Sequence, residues 1–332
     1  MLENKTIMIT GGTGSFGKTF IPMTLAEHNP KKIIVFSRDE MKQWDMAMQF
    51  EGDPRVTFLI GDVRDVGRLT EAMRGVDYVV HAAATKIVPT AEYNPSECIK
   101  TNINGAMNVV EASRLAGVKS VVALSTDKAS NPINLYGATK LASDKLFVAS
   151  NSDIDPTATK YAVVRYGNVM GSRGSVIPFF MSQANEGSLP ITDERMTRFM
   201  ISLEDGVRLV WTAFNDMKGG EIYVKKIPSM SIVDIAKAIA PSAKQRIIGI
   251  RPGEKVHEQM ISIEDAPHTY LYDDYYKILP AIHGWSNDPD RIQNGVKVPE
   301  NFCYSSETND EWMTVEDLAK WIESNKKKLG KF

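Results

Sequence analysis

A short apolar run that leads directly into a glycine-rich turn restricts the folds that this chain can adopt. The run is Thr6–Thr10, and glycines follow it at every third position, as Gly11, Gly14 and Gly17. The first glycine can make a tight turn, the second lets the backbone approach a pyrophosphate, and the third lets helix and strand pack closely. Strand, turn and helix in this order predict a dinucleotide site, with a loop that binds no ligand as the alternative. The expected contacts are Gly11, Thr13, Gly14, Ser15, Phe16 and Gly17.

Strand-like and helix-like segments alternate after this turn. Five alternations before residue 150 are typical of a doubly wound parallel sheet, which binds ligands at the carboxyl ends of its strands. We therefore predict an α/β protein with a Rossmann-like sheet over residues 1–170. The alternation fades over residues 171–332, which are expected to form mainly a smaller substrate-binding domain, partly interleaved with the first. The predicted strands after the first are Lys32–Phe36, Val56–Ile60, Val76–His81, Val118–Leu124 and Tyr161–Tyr166.

The end of the second strand bears on the type of dinucleotide. Ser37 and Arg38 come first, where an NAD site would usually have an acidic residue for the ribose 2′-hydroxyl. An arginine suits a 2′-phosphate, so the pattern favours NADP. Asp39, one residue later, leaves NAD open. The residues expected near this part of the cofactor are Ser37, Arg38, Asp39, Glu40 and Lys42.

Polar or small residues also follow the third and fourth strands. Asp62 is expected to accept a hydrogen bond from the adenine amino group, and the small residues after the fourth strand let the backbone approach a nicotinamide ribose. His81, at the end of that strand, is expected to be structural. Residues 94–117 predict one long helix, although Thr101–Gly105 is polar where a core helix would be apolar. Further cofactor contacts are expected from Asp62, Val63, Ala82, Ala83, Ala84, Lys86, Tyr136, Lys140 and Val169.

Two groups of reactive side chains lie close together in the middle of the chain. Tyr136 and Lys140 share a face if they lie on a helix, and the ammonium group would lower the pKa of the phenol. The phenolate could then take a proton from a substrate hydroxyl as hydride leaves for the cofactor. Upstream, Thr126, Asp127 and Lys128 place a carboxyl group beside an amine. Adjacent strand residues would face opposite sides, so we expect the backbone to turn at this doublet. A surface ion pair is the alternative.

These motifs resemble the extended short-chain dehydrogenase/reductase superfamily, and within it the enzymes that act on nucleotide sugars. Retaining sugar-nucleotide 4,6-dehydratases have Asp-Glu after the strand-end threonine, whereas this chain has Asp127 and Lys128. Together with residues 131–134 and 136–140, this doublet is similar to the inverting (5-epimerising) UDP-N-acetylglucosamine 4,6-dehydratases that open pseudaminic acid biosynthesis. Related capsular-sugar enzymes commonly have methionine where this chain has Tyr136, so the tyrosine favours the pseudaminic branch.

The resemblance implies NADP-dependent removal of the 6-hydroxyl group of UDP-N-acetylglucosamine with inversion at C5. Tyr136 would take the 4-hydroxyl proton, and Lys128, with a lowered pKa, would take the C5 proton. Asp127 would be protonated and would give its proton to the departing hydroxyl group. Thr126 and Lys140 complete the expected catalytic set. Substrate contacts are implied at Lys86, Thr101, Asn168, Arg173, Thr197, Arg251 and Glu254.

Composition limits the partners of the chain. A net charge of −2 and a pI of about 6.3 imply no general attraction to nucleic acid. Cys98 and Cys303 are far apart and match no metal or redox spacing, so no metal is expected. No apolar segment is long enough to cross a bilayer and no signal-peptide pattern is present, which predicts a cytoplasmic protein. The resemblance also implies a homo-oligomer, such as a hexamer.

Other functions stay open on the same scaffold. The first group comprises a 4-epimerase, a non-inverting dehydratase and a related capsular-sugar enzyme, but Lys128 in place of a glutamate speaks against the first two. The other is a non-catalytic NADP-binding regulator. Such a regulator would not need Tyr136, Lys140 and the Asp127–Lys128 doublet together.

Overall fold

A ten-stranded sheet runs through the centre of the protein, seen in a computed structural model that describes residues 1–152 and 158–329. The first half supplies β1 Thr6–Thr10, β2 Lys32–Ser37, β3 Val56–Ile60, β4 Tyr78–His81, β5 Ser120–Leu124 and β6 Lys160–Arg165. These strands are parallel and lie in the order β3-β2-β1-β4-β5-β6. The strand order reverses between β1 and β4, which is the switch point where such sheets bind ligands. The predicted Rossmann-like α/β fold is therefore confirmed.

Helices connect these strands. They are α1 Ser15–His28, α2 Glu40–Ala47, α3 Val66–Ala72, α4 Val88–Tyr93, α5 Pro95–Ile99, α6 Gly105–Leu115 and α7 Leu135–Ala149. The stretch predicted as one long helix is helical from α5 to α6, but it widens into a π-helical turn at Lys100–Asn104. This turn coincides with the polar residues that set the stretch apart in the sequence. π-Helical turns frequently occur at functional sites.

The second half of the chain returns to the central sheet. Its strands are β7 Asn168–Val169, β8 Ser188–Ile191, β9 Thr197–Ile201, β10 Ile222–Lys225, β11 Ser229–Ser231, β12 Lys244–Ile247, β13 Gln259–Ile261, β14 Thr269–Leu271, β15 Tyr275–Ile278, β16 Val296–Lys297 and β17 Tyr304–Ser305. β10 lies parallel to β6, and β15, β14 and β16 continue the sheet in antiparallel fashion. The two halves of the sequence thus share one hydrophobic core.

A second, smaller core lies apart from the sheet. The helices of this half are α8 Val176–Gln183, α9 Leu203–Asp216, α10 Ile232–Ile239, α11 Pro289–Ile292 and α12 Val315–Leu329. Buried side chains from α8, α10, α12 and the short strands β8 and β9 form the core, with Phe180, Ile235 and Leu318 among them. Two small sheets, β11-β9-β7 and β12-β8, frame it. Across the two described ranges, no helix combines the length and apolar character needed to cross a lipid bilayer.

Candidate active site

The glycine-rich turn after β1 forms a cradle that side chains would fill. Gly11 has φ +67°, and a Cβ atom there would lie 2.8 Å from the Cα atom of Ala83. At Gly17 a Cβ atom would lie 1.9 Å from the carbonyl oxygen of Gly12, so α1 can pack closely on the turn. Gly14 is the N-cap of α1, and neither a capping side chain nor an acidic first-turn residue neutralises this helix end. The cradle and the helix N-terminus fit the pyrophosphate of a dinucleotide.

At the end of β2 the Arg38 side chain is exposed, whereas the Asp39 carboxylate is engaged within the protein. Arg38 is 58% exposed in its side chain, with Nη1 3.6 Å from Oδ2 of Asp62. Asp39 caps α2 by accepting a hydrogen bond of 3.0 Å from the Lys42 backbone, and it also pairs with the Lys42 ammonium group. The hydroxyl group of Ser37 accepts from Gln43. Of the predicted polar contacts here, Arg38 is therefore the side chain best placed for a ribose substituent.

The predicted adenine contacts are already engaged within the protein. Asp62 accepts hydrogen bonds from Arg64 Nε at 2.9 Å and Nη2 at 2.7 Å. Val63 is buried against Gly105, where a Cβ atom would lie 2.9 Å from its Cγ2 atom. Glu40 lies in the first turn of α2. Arg64, which the sequence interpretation did not include, therefore fixes the Asp62 carboxylate.

Asn102 ties the loop after β4 to α7. Its Oδ1 atom accepts from the Thr85 backbone at 2.8 Å, and its Nδ2 atom donates to the Thr85 carbonyl oxygen at 2.9 Å and to the Thr139 hydroxyl group at 3.0 Å. The π-helical turn that carries Asn102 also carries the buried Thr101, whereas Lys86 stays exposed on the loop. Sequence interpretation noted this polar stretch but assigned no role to Asn102.

His81 is structural, as predicted. Its Nδ1 atom lies 2.8 Å from the hydroxyl group of Thr10, and the ring is buried. Burial, together with the charge of Lys140, lowers the pKa of His81 to about 3. A neutral imidazole packed beneath the sheet end supports the strand without taking part in proton transfer.

The Asp127–Lys128 doublet lies just past β5, where the chain forms the 3-10 turn Asp127–Ala129. Thr126 begins this turn, and its hydroxyl group donates to Asp127 Oδ1 at 2.8 Å. The Lys128 Nζ atom lies 3.0 Å from Asp127 Oδ1 and 3.1 Å from Glu258 Oε1. The predicted backbone turn is confirmed. The doublet is not a surface ion pair, because Asp127 and Glu258 are buried and the Lys128 side chain is only 23% exposed.

The pKa of Lys128 in this turn differs from the prediction. Burial alone would lower the pKa of Lys128, but the carboxylates of Asp127 and Glu258 together raise it above its ordinary value. The prediction of a lowered Lys128 pKa is therefore wrong for the protein without substrate. Burial raises the pKa of Asp127 despite the nearby ammonium group. The pKa of Glu258 is lowered, because Lys128 and Arg198 outweigh the effect of burial.

Tyr136 and Lys140 project from the first turns of α7 towards the same sheet end. Burial raises the pKa of Tyr136 to about 12, while the charge of Lys128 and a hydrogen bond with Thr126 act in the opposite direction. The nearby charge with the largest lowering effect on the pKa of the phenol is Lys128, whereas the sequence predicted Lys140. Lys140 Nζ donates to the carbonyl oxygen of Leu124 at 2.7 Å, and burial lowers the pKa of Lys140.

Residues 251–259 of the second half pack against residues 128–134, which include the end of the 3-10 turn. Asn134 Nδ2 donates to the Gly253 carbonyl oxygen at 2.7 Å, and Lys255 Nζ donates to that of Ser130 at 2.6 Å. Glu258 follows in the same segment and reaches Lys128. Nothing in its sequence surroundings marks Glu258 as a site residue, because it stands alone in an irregular stretch.

The residues predicted to contact substrate differ in their surroundings, and some of them are bonded to other parts of the protein. The Thr197 hydroxyl group is buried and lies 2.9 Å from His257 Nδ1 and 2.7 Å from the Ser306 hydroxyl group, so its geometry fits a structural role and not the predicted contact. Arg251 and Glu254 form an ion pair with each other. The Arg173 backbone donates to Ser15 Oγ at 3.2 Å, which brings its loop beside the glycine cradle. Asn168 and Val169 form the half-buried β7.

A glycine cradle at the switch point of a Rossmann sheet, with a tyrosine–lysine pair beside it, defines the chain as an extended short-chain dehydrogenase/reductase. The chain belongs to the polysaccharide biosynthesis protein family, whose model matches residues 7–280. In the described part of the chain, no cluster of three or more His, Cys, Asp or Glu residues is arranged to hold a metal ion.

Two named relatives and one solved structure are similar to this chain over most of its length. A Campylobacter jejuni protein named UDP-N-acetylglucosamine 4,6-dehydratase (inverting) is 56% identical over 329 residues, which cover 97% of this chain and 98% of the relative. A Rickettsia canadensis protein named UDP-glucose 4-epimerase is 46% identical over 286 residues, covering 84% of each chain. The X-ray structure of Pen from Bacillus thuringiensis matches with a TM-score of 0.89 at 35% identity, covering 98% of this chain and 99% of that one. The predicted resemblance to the inverting dehydratases is confirmed.

Proposed function

We propose that the protein removes the 6-hydroxyl group of UDP-N-acetylglucosamine and inverts C5, giving UDP-2-acetamido-2,6-dideoxy-β-L-arabino-hex-4-ulose with NADP as cofactor. The observation that carries the proposal is the buried contact between Asp127 and Lys128 next to Tyr136. The activity in the name of the Campylobacter jejuni relative supports it. We place the reaction in the cytoplasm, as the first step of pseudaminic acid synthesis.

Three side chains, those of Tyr136, Lys128 and Asp127, each carry out one of the proton transfers. Bound NADP would supply the hydride acceptor and donor for the sugar carbons. Tyr136 takes the proton of the 4-hydroxyl group, and the charge of Lys128 and the hydrogen bond with Thr126 favour its phenolate. The resulting 4-keto group acidifies C5, and Lys128 takes the C5 proton. Asp127, whose pKa is raised by burial, gives its proton to the departing 6-hydroxyl group.

The choice of NADP is supported by the end of β2. Arg38 is exposed and can meet a 2′-phosphate, whereas the carboxylate of Asp39 is committed to the start of α2 and to Lys42. The Asp39 carboxylate, which could otherwise accept from a ribose 2′-hydroxyl group, is thus already engaged. The glycine cradle and the N-terminus of α1 would hold the pyrophosphate.

We further propose that the enzyme acts as a homo-oligomer. Met107 and Leu115 of α6 are exposed and, with the adjoining part of α7, line an apolar depression. Exposed apolar patches of this kind often mark interaction surfaces.

A 4-epimerase is the second candidate, because of the Rickettsia canadensis relative. Epimerisation at C4 needs a base for the 4-hydroxyl group and a hydride carrier, which Tyr136 and a bound cofactor would provide. Epimerisation at C4 involves neither loss of the 6-hydroxyl group nor removal of the C5 proton, so it would not use the buried Asp127 and Lys128 pair.

NMR spectroscopy of the reaction in deuterated water tests the proposal. The protein is incubated with NADP+ and UDP-N-acetylglucosamine, and we expect deuterium at C5 and a new C6 methyl group on a ring of L configuration. The Lys128→Ala variant is expected to bind NADP+ normally but to form no methyl product. An unchanged sugar with the wild-type protein, or a product inverted at C4 alone, would contradict the proposal.

A further inference from the structure

Lys128 must lose a proton before it can act as a base, and its ammonium group touches two carboxylates. Nζ lies 3.0 Å from Asp127 Oδ1 and 3.1 Å from Glu258 Oε1. Asp127 has to hold a proton for the departing hydroxyl group, so it is unavailable as an acceptor. We propose that Glu258 takes the ammonium proton of Lys128 and thereby makes Lys128 the base at C5. This inference rests on the function proposed above.

The surroundings of Glu258 hold it in place for this role. It is 2% exposed, and its backbone N–H group donates to Ser306 Oγ at 2.9 Å. The N–H group of Ser306 donates in turn to the Glu258 carbonyl oxygen at 2.8 Å. The Oε2 atom is buried and has no hydrogen-bond partner among the described residues. Because the backbone of Glu258 is anchored and Oε1 already lies 3.1 Å from Lys128 Nζ, Oε1 can accept the proton without a rearrangement of the chain.

The charges that face Glu258 keep it ionised in the resting protein. Arg198 Nε lies 3.8 Å from Oε1, and Lys128 and Lys255 add two further positive charges. The same neighbours lower the pKa of Glu258, whereas burial raises that of Asp127. Of the two carboxyl groups, Asp127 is therefore the more readily protonated and Glu258 the more readily ionised. This division supplies one acid for the leaving group and one acceptor for the lysine.

The proposed step balances in protons and charge. One Nζ–H bond breaks and an Oε1–H bond forms, so the ammonium and the carboxylate become a neutral pair. A bound sugar excludes water, and a low dielectric makes such a neutral pair less unfavourable relative to the ion pair. The amine then takes the C5 proton as the C5–H electrons pass towards the 4-keto group. The Asp127 proton leaves with the 6-hydroxyl group as water, and Lys128 can pass a proton from Glu258 back to Asp127.

The Glu258→Gln variant tests this step, because glutamine keeps the shape and hydrogen bonding of the side chain but cannot take the proton. We expect its NADP+ affinity and melting temperature to stay close to those of the wild type. With UDP-N-acetylglucosamine, the near-ultraviolet absorbance of reduced nicotinamide should build up, because C4 is still oxidised. Deuterium exchange at C5 should slow by about 100-fold or more, the usual contribution of a positioned base. The acid limb of its pH profile should move to alkaline pH, since Lys128 must now lose its proton to solvent.

Two further variants make the outcome unambiguous. Glu258→Asp retains an acceptor at a longer distance, so we expect slower exchange with the acid limb in its wild-type position. Glu307→Gln removes an exposed carboxylate near His257 and should change neither exchange nor the pH profile. C5 exchange at the wild-type rate in Glu258→Gln, or slower exchange with an unmoved acid limb, would overturn the proposal. Wild-type protein that leaves the sugar unchanged would instead overturn the proposed function, and this inference with it.

Discussion

Arg38 and Asp39 are adjacent in sequence but serve different purposes in the structure. The Asp39 carboxylate is used within the protein, as the cap of α2 and the partner of Lys42. Arg38 is exposed, and its nearest anionic partner, Asp62, is also bound by Arg64. The sequence left the choice between NAD and NADP open because a carboxylate at this position suits NAD. The capping contact supports the proposed choice of NADP, because it engages the carboxylate of Asp39 and leaves the Arg38 cation exposed.

Arg38→Ala should therefore weaken NADP+ far more than NAD+. A hydrogen bond to a charged group contributes about 1.5–3 kcal/mol, so we expect the Kd for NADP+ to rise by about 10- to 100-fold. The Kd for NAD+ should change little, because NAD+ lacks the 2′-phosphate. Fluorescence titration of both cofactors measures this, with Arg208→Ala on the exposed face of α9 as the control. Equal losses for the two cofactors would show that Arg38 does not bind the 2′-phosphate.

Single residues were predictable where they form a local motif. Tyr136, Lys140 and the Asp127–Lys128 doublet stand at short spacings that the sequence displays directly. Glu258 was not predicted at all, and Thr197 was predicted to contact substrate although its hydroxyl group is engaged within the protein. The contacts of both are with residues far along the chain, and only folding brings them together. The raised pKa of Lys128 was missed for the same reason, since Glu258 is one of its two causes.

At the level of elements, α7 and the Asp127–Ala129 turn meet at a glycine. A Cβ atom on Gly137 would lie 2.2 Å from the carbonyl oxygen of Lys128 and 3.1 Å from Pro132 Cβ. No side chain can be accommodated against a backbone atom at that distance. Gly137 therefore allows the helix that carries Tyr136 and Lys140 to lie directly on the turn that carries Lys128.

Gly137→Ala should separate these two elements. We expect the free energy of unfolding to fall by about 1–3 kcal/mol, as for other overpacked sites, and dehydration to be largely lost. Gly67→Ala in α3 is a matched control, because its Cβ atom would meet only the Asp65 side chain, at 3.4 Å. That change should stabilise the helix by about 0.5–1 kcal/mol. Denaturant unfolding and product formation measure both variants, and wild-type turnover in Gly137→Ala would show that the close contact is dispensable.

The order of strands and helices in the first half followed from apolar periodicity alone. The π-helical turn between α5 and α6 did not, although its polar residues were visible in the sequence. Asn102 bonds both the loop after β4 and Thr139 of α7, and those partners are determined by the tertiary fold. Periodicity therefore predicted a helix here, while its local widening depends on contacts between elements.

At the scale of the whole molecule, the site belongs to both halves of the chain. Lys128 of the first half contacts Glu258 of the second, and Asn134 is bonded to Gly253. Strands β10 and β14 to β16 join the central sheet, so the boundary proposed near residue 170 separates sequence regions that share one core. The sequence showed only that the alternation fades there, because short strands that pair with distant partners leave little periodic signal.

Leu318 offers a test of whether the stability of the second core affects the site. Its side chain on α12 is fully buried in the core that also supports β9, the strand that carries Arg198. Leu318→Ala should lower the free energy of unfolding by about 2–5 kcal/mol, as expected for a leucine removed from a packed core. Because the glycine cradle lies in the other core, we expect the Kd for UDP-N-acetylglucosamine to rise while that for NADP+ stays near the wild-type value. Met48→Ala, at an exposed position, is the control and should alter neither stability nor binding. Equal losses of affinity for both ligands would mean that the two cores respond as one unit, and that the second core has no separate stability.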